Sequence, residues 1–365
     1  MTATLTDPAA HVRPHAEKIP VAILGATGSV GQRFVQLLEH HPWFRLHEVV
    51  ASERSAGKLY ADAAEWRLET LLPDSAAALE VKPLASELES RLLFSGLDSS
   101  VAGEAEETYA RRGAVVVSNS KNHRMDPDVP LMLPEINADH IAAIEHQQRR
   151  RGGRGFIITN SNCSTMGLAL AIAPIERRYG IDQMHVTTMQ AVSGAGWNGV
   201  ASMAILDNVI PYISGEEEKI ETEPRKILGR WDGERFIDAP MRISAQTNRV
   251  PVLDGHLMTI SLSLRNRSRI DLMEIRAALE SFTGEPQRLG LPSAPKQPIH
   301  YIDAPDRPQP RLDRERERGM SVSVGRLRPC PLLDIRMVAL VHNTIRGAAG
   351  AALLNAELLE SKGML

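Results

Sequence analysis

The chain has 365 residues, more than most single cores hold, and its 43% hydrophobic and 24% charged content excludes a collagen-like or disordered chain. Lys+Arg (42) and Asp+Glu (45) nearly cancel to a net charge of -3, which excludes the broad basic footprint of a nucleic-acid binder. Two cysteines cannot build a disulfide framework and no apolar run is long enough to span a bilayer, so a cytoplasmic protein without a membrane partner is expected.

Residues 1–18 lack the apolar stretch of a secretory leader and read as a flexible tail. An apolar run at 20–24 stops at Gly25, and a helical pattern at 30–40 carries Phe34, Leu37 and Leu38 on one face until Pro42. Strands are predicted at 46–51, 92–97 and 114–118, with a helix at 101–112 between the last two. This alternation implies a parallel sheet with helical crossovers. Residues 146–155, HQQRRRGGRG, read as a solvated loop that could also bind an anion. A strand at 156–159 and a helix at 163–178 follow.

Beyond that the pattern changes. Strands are predicted at 184–192, 247–252, 257–264, 320–324 and 335–341, and helices at 200–209 and 271–282. This describes an α+β second domain with a largely antiparallel sheet. Residues 305–318 read as an exposed excursion, and 348–359 as a helix that returns to the first domain. The fold expected is α/β, an N-terminal Rossmann-type dinucleotide-binding domain followed by an α+β catalytic and dimerisation domain. The division runs 19–159 plus 344–365, and 160–343.

Gly25-Ala26-Thr27-Gly28-Ser29-Val30-Gly31 joins the first strand to the first helix. Glycines there permit a tight turn and let backbone N–H groups approach a pyrophosphate, whose charge the helix N-terminus favours. A structural turn is the plainer alternative. After the second strand an acidic residue would bind a ribose 2′-OH, and an arginine would accommodate a 2′-phosphate. Both Glu53 and Arg54 are present, but Ser52, Arg54, Ser55 and Lys58 together favour NADP.

Asn160-Ser161-Asn162-Cys163-Ser164-Thr165 ends a strand and opens a helix. Backbone N–H groups and the helix dipole at that position stabilise a thiolate, so Cys163 is read as a nucleophile. Cys330 is read as a buried, inert cysteine. Gln190 precedes the turn Ser193-Gly194-Ala195-Gly196, and Arg249 and His256 flank the turn Asp254-Gly255; these are candidate partners of the thiol.

On these motifs the chain resembles aspartate-semialdehyde dehydrogenase of the archaeal and fungal branch, from Ile19 to the C-terminal helix. Further segments carry the resemblance: Ser120-Lys121-Asn122-His123-Arg124, 215–219, and Asn343-Thr344-Ile345-Arg346-Gly347. It implies Cys163 as acyl acceptor, His256 as acid/base and Gln190 as the group that orients the acyl intermediate. It further implies Arg249 on the substrate α-carboxylate, Glu216 on its amino group, and Lys219, Ser120, Lys121, Asn122 and Arg124 on its phosphate. Gly25, Thr27, Gly28, Ser29, Val30, Gly31, Ser52, Arg54, Ser55, Lys58, Ser95, Gly194 and Asn343 would hold NADP. Without the resemblance, 215–219 reads as a solvated helix start. His123 stands where a tyrosine is common in the family, Asp98 where a proline is common, and Leu257 where a hydroxyl residue is frequent.

The activity implied is NADPH-dependent reduction of L-aspartyl 4-phosphate to L-aspartate 4-semialdehyde and phosphate through a Cys163 thioester, within lysine, threonine and methionine biosynthesis. A homodimer or homotetramer is implied as well. Three rivals stand beside it. Malonyl-CoA reductase shares the thiol and hydride chemistry, but the Glu216 and Arg249 pair suits an amino acid. N-acetylglutamyl-phosphate reductase acts on an acylated amine, which would not want Glu216. A non-catalytic NADP-sensing regulator would not need Cys163, His256 and Arg249.

Overall fold

The computed structural model describes residues 17–267 and 270–365, and the tail expected at 1–18 lies outside them except for its last two residues. Seven strands form a first sheet: β1 (Ile19–Leu24), β2 (Phe44–Ala51), β3 (Val81–Pro83), β4 (Leu92–Ser95), β5 (Val115–Ser118), β6 (Leu131–Met132) and β7 (Phe156–Asn160). Their order is β3-β2-β1-β4-β5-β7-β6, and every pairing is parallel. Parallel neighbours need crossovers, so both faces of the sheet are covered and its strands read as continuous apolar runs.

The period of two sorts these side chains. Val21, Ile23, Val115, Val117, Phe156 and Ile158 face one core with Phe34 and with Leu353, Leu354 and Leu358 of the C-terminal helix Gly350–Ser361. Ala22, Leu24, Leu93, Val116 and Ile157 face the other with Tyr109 and Ala110 of the helix Ser99–Arg111. Because β1 has β2 on one side and β4 on the other, the chain order reverses at β1. That reversal opens a crevice at the carboxyl ends of these strands, where doubly wound sheets bind ligands.

A second sheet holds β8 (Ile181–Gln190), β11 (Arg242–Arg249), β12 (His256–Leu264), β13 (Ile299–Ile302), β14 (Val322–Pro329) and β15 (Ile335–Val341). A short ribbon, β9 (Arg230–Trp231) with β10 (Phe236–Ile237), stands apart. The order is β11-β8-β12-β15-β14-β13, with antiparallel pairs in the middle and parallel pairs at both edges. Met184, Val186, Met258, Ile260, Leu262, Met337 and Ala339 are buried in one core with Met166, Leu168, Leu170, Ile172 and Ile175 of the helix Cys163–Tyr179. Each such Leu or Ile contributes about 2 kcal/mol by leaving water, and together they fix the helix, and so its first residue, against the sheet.

Four expectations need correction. Residues 146–155 are not a loop: a helix runs Ala143–Arg151 and ends at Gly152, whose φ is +70°. Ala143 and Ile144 open its buried face, but within 146–151 the one buried residue is polar: the Gln147 amide donates to the carbonyls of Asp128 (3.0 Å) and Ile157 (2.9 Å) and accepts from Ile157 N–H (2.6 Å). Arg150 and Arg151 are ion-paired to Asp128 and Glu107 rather than held out for an anion. The helix expected at 200–209 shrinks to Ser202–Ile205, since Met203, Leu206 and Val209 of its would-be apolar face are exposed. The excursion at 305–318 is anchored: Asp313 is buried between Arg307 and Arg316, and Arg314 donates to the Asp254 carbonyl (3.0 Å). Cys330 is only half-buried, in the link between β14 and β15, where its sulfur accepts from Leu333 N–H at 3.4 Å.

Candidate active site

Gly25 follows β1 with φ +78°, and a Cβ there would lie 2.8 Å from the Gly96 carbonyl oxygen. A Cβ on Gly31 would lie 2.2 Å from the Gly25 carbonyl oxygen, so only glycine lets the helix Ser29–Leu38 close onto the strand. Gly28 caps this helix with no side-chain hydrogen bond, and its first-turn N–H groups face the crevice end of the sheet. Thr27 accepts at its carbonyl from Gln32 (3.2 Å), Val30 packs beside Gly96, and Ser95 ends β4 fully buried. One strand over, Ser52, Arg54 and Lys58 stand exposed beyond β2, while Ser55 is buried and donates its N–H to the Ser52 carbonyl (2.8 Å). A glycine-lined cradle beside exposed cations fits a dinucleotide with a phosphorylated ribose.

The second sheet gathers the remaining groups by register. Arg249, last in β11, pairs with Gln190, last in β8. His256, first in the antiparallel β12, pairs with Val341, last in β15. Three strand ends therefore deliver Gln190, Arg249 and His256 to one edge, all on the inward period and all buried. The Ala191 N–H donates to His256 Nδ1 (3.0 Å), and Arg249 donates to the Ala191 carbonyl (2.7 Å), so one backbone residue aligns both. An imidazole accepting at Nδ1 carries its proton on Nε2 when neutral. Nε2 has no hydrogen-bond partner among the described residues. Gly194 sits over this pair: a Cβ there would be 2.9 Å from Arg249 and 3.2 Å from His256 Nε2. Asn343 accepts from Gly255 N–H (2.8 Å) and donates to Ser193 (2.8 Å), tying the His256 turn to the Gly194 turn.

Cys163 is the first residue of its helix. The Asn162 side chain caps that helix, accepting from Ser164 N–H (3.0 Å) and Thr165 N–H (3.2 Å). Its amide nitrogen donates to Glu216 (2.8 Å), which also accepts from Gln190 (3.3 Å) and pairs with Lys219 (2.6 Å). Gly347 approaches the thiol's Cβ so closely that a side chain there would lie 2.7 Å away. Glu216 opens the helix Glu216–Ile227 and is buried against Asn162 and Gln190, so at this residue the helix start is not solvated, while Gly215 and Glu218 are exposed.

The electrostatics set a protonated resting thiol. Burial and the Glu216 charge push the Cys163 thiol up to about 12, while Arg124 and Arg249 work in the opposite direction. Burial, with Arg249, brings His256 down to about 3, so the imidazole is neutral at any ordinary pH. Burial opposes the charge on Glu216, but Lys219, Asn162 and Gln190 outweigh it and hold the carboxyl below its usual range.

Residues 120–124 lie beyond β5. Ser120 donates to Asn122 (2.6 Å), Lys121 is exposed, and Arg124 is buried, ion-paired to Glu223 (2.9 Å) and bonded to the Asn119 carbonyl (2.7 Å). Sequence reasoning missed Glu223 and Lys226. Glu223 accepts from Asn162 N–H (2.6 Å) as well as holding Arg124. Lys226 donates to the carbonyls of Arg124, Asp126 and Val129 at 2.7, 2.7 and 2.9 Å. The spacing 216, 219, 223, 226 marks one helical face and was the available signal.

Two family models match the chain: semialdehyde dehydrogenase, NAD binding domain, over residues 20–144, and semialdehyde dehydrogenase, dimerisation domain, over 172–346. The aspartate-semialdehyde dehydrogenase of Candida albicans is 49% identical over 358 residues, covering 94% of this chain and 98% of the relative. That of Methanothermobacter thermautotrophicus is 49% identical, covering 93% and 99%. The crystal structure of the Candida albicans enzyme with NADP superposes with a TM-score of 0.88 at 46% identity, covering 96% of this chain and all of that one.

Proposed function

The chain belongs to the aspartate-semialdehyde dehydrogenases, and on that premise we propose that Cys163 is the acyl-accepting nucleophile of an NADP-dependent, phosphate-forming reduction of L-aspartyl 4-phosphate. The observation that carries this reading is the convergence of Cys163 at a capped helix start with Gln190, Arg249 and His256 from three strand ends. The relatives give no support to malonyl-CoA reductase or to a non-catalytic regulator.

Arg249 is suited to the substrate α-carboxylate, because its planar fork binds two oxygens. Glu216 takes the ammonium, and Ser120, Lys121, Asn122, Arg124 and Lys219 take the phosphate. The nicotinamide, when bound, supplies the hydride. Gly25, Thr27, Gly28, Ser29, Val30, Gly31, Ser95, Gly194 and Asn343 would hold its dinucleotide, and Ser52, Arg54, Ser55 and Lys58 would receive a 2′-phosphate.

Cys163 loses its proton to water, and its Sγ attacks the acyl carbon. The carbon–oxygen bond to phosphate breaks, phosphate leaves with the electron pair, and a thioester remains on Sγ. The acid/base role expected of His256 narrows to its acid side: with Nδ1 accepting from Ala191 N–H, the ring carries its proton at Nε2 and donates it in a hydrogen bond to the carbonyl oxygen as that oxygen becomes negative, with the Cys163 N–H as the second donor. After reduction of the thioester carbon, the carbon–sulfur bond breaks, the thiolate returns and the aldehyde leaves. Gln190, fixed between Thr188 and Glu216, orients the acyl group.

We place residues 19–159 with 344–365 in the cofactor domain and 160–343 in the catalytic and dimerisation domain. The active species would be a homodimer or a homotetramer built on that second domain. A reduced thiol at Cys163 suits the cytoplasm, and no described helix is long and apolar enough to cross a membrane. The test runs the reaction backwards, with L-aspartate 4-semialdehyde and NADP. Formation of NADPH should require phosphate and should vanish in Cys163→Ala, which keeps NADP binding. Turnover retained by that variant would overturn the assignment.

A further inference from the structure

Beneath residues 120–123 lies a carboxyl group that the mechanism above does not use. Glu106, on the helix Ser99–Arg111, is fully buried. Its Oε1 accepts from the Ser118 hydroxyl at 2.7 Å. The Ser118 oxygen accepts in turn from the Ser120 N–H (3.0 Å), and the Ser120 hydroxyl donates to Asn122 Oδ1 (2.6 Å). The Asn122 amide closes the chain by donating to the Ser99 carbonyl at the start of the same helix (3.0 Å).

The same helix holds the segment at two further points. A Cβ on Gly103 would lie 2.9 Å from the Asn122 amide nitrogen, so Asn122 rests directly on the helix backbone. His123 Nε2 lies 3.1 Å from the Gly103 carbonyl, and Nδ1 lies 2.8 Å from Asp126. Both ring nitrogens of His123 thus face acceptors, which favours the doubly protonated ring. Glu106 Oε2 lies 4.0 Å from His123 Nε2 and beside the Ser95 hydroxyl.

A buried carboxyl group is costly and persists where its contacts are over-determined. Here one oxygen fixes the hydroxyl that fixes the Ser120 backbone, and the chain ends on two side chains assigned to phosphate. We propose that Glu106 is a positioning residue for the phosphate pocket, acting through Ser118 on Ser120 and Asn122 without touching substrate. This rests on the reading that residues 120–122 bind the phosphate. A hydrogen-bond relay held from below presents its donors in one arrangement and spares the phosphate the work of ordering them.

The experiment measures the KM for inorganic phosphate, the KM for NADP and kcat in the semialdehyde-oxidising direction, with melting curves beside them. The variants are Ser118→Ala, Glu106→Leu, Glu106→Gln and Lys121→Ala. Ser118→Ala and Glu106→Leu should raise the phosphate KM about ten-fold, the scale of one lost buried hydrogen bond, and leave kcat at saturating phosphate and the NADP KM within about two-fold. Glu106→Gln keeps an acceptor for Ser118 and should restore the phosphate KM. Lys121→Ala should raise the phosphate KM whether or not the relay matters. If Glu106→Leu does not fold, Ser118→Ala decides. A raised phosphate KM in Lys121→Ala with none in Ser118→Ala overturns the relay alone. An unchanged phosphate KM in Lys121→Ala overturns the phosphate assignment and the relay with it.

Discussion

At the scale of single residues, the resting site holds its proposed nucleophile back. Burial first, and the Glu216 charge second, keep the Cys163 thiol protonated. Glu216 is also the group assigned to the substrate ammonium, so a bound ammonium cancels part of the charge that holds the thiol up. Removing that charge in Glu216→Gln should lower the thiol pKa and speed alkylation of Cys163 by iodoacetamide at pH 7 several-fold, while raising the KM for the amino-acid substrate. Slower alkylation in that variant would remove Glu216 from the thiol's electrostatics. His256 moves in the opposite direction, down to about 3 from an ordinary 6.5. Its neutral form is therefore the free enzyme's form throughout the working range, and kcat/KM should show no acid limb near pH 6.5 that disappears in His256→Asn.

At the scale of elements, two polar ties hold the frame around the site. Lys226 donates to three backbone carbonyls between Arg124 and Val129. In Lys226→Met the buried bonds to the Arg124 and Val129 carbonyls are lost, while Asp126 keeps its bond from Val129 N–H, and the chain should lose about 3 kcal/mol of stability in a denaturant titration. Glu107 joins the helix Ser99–Arg111 to Arg151 of the helix Ala143–Arg151. The Arg151 hydrogen bonds hold its carboxyl down to about 2, against an ordinary 4.5. The folded carboxyl thus binds its proton less readily than the unfolded one. Its stabilisation is complete above pH 4.5 and is lost as pH falls from there toward 2. In Glu107→Gln the melting temperature should fall less steeply across that window than in the parent chain.

Much of this frame was legible in the sequence, for definite reasons. β1 and the helix Ser29–Leu38 announce themselves through an apolar run, a glycine turn and a helical stripe, which are local signals. So does the asparagine that caps the Cys163 helix. The helix Ala143–Arg151 was hidden because past Ile144 its only buried residue is Gln147, whose amide stands in for backbone partners that no pattern reveals. The stretch 200–209 erred the other way, with helical spacing but exposed Met203 and Leu206. Cys163, Arg249 and His256 could be nominated singly, but Arg249 against Gln190 and His256 against Val341 are facts of register between distant strands. Glu223 was marked only by sharing a helical face with Glu216 and Lys219, and Glu106 lies behind the site, where no motif marks it.

At the scale of the whole molecule, one sheet offers a crevice at its topological reversal and the other a row of polar strand ends. The helix Cys163–Tyr179 starts where the first sheet stops and packs on the second, which sets Cys163, the proposed nucleophile, between them. The helix Gly350–Ser361 returns to the first sheet's core, closing the chain across both. Such an arrangement suits chemistry in which a covalent intermediate waits at the junction while ligands enter from two sides. The most direct test of the account is a rapid-mixing experiment without phosphate, in which the enzyme, NADP and L-aspartate 4-semialdehyde are combined and the quenched protein is analysed by mass. The account predicts a burst of NADPH stoichiometric with enzyme, an acyl adduct on the peptide carrying Cys163, and its discharge when phosphate is added. Steady NADPH formation without phosphate and without an adduct on Cys163 would contradict it.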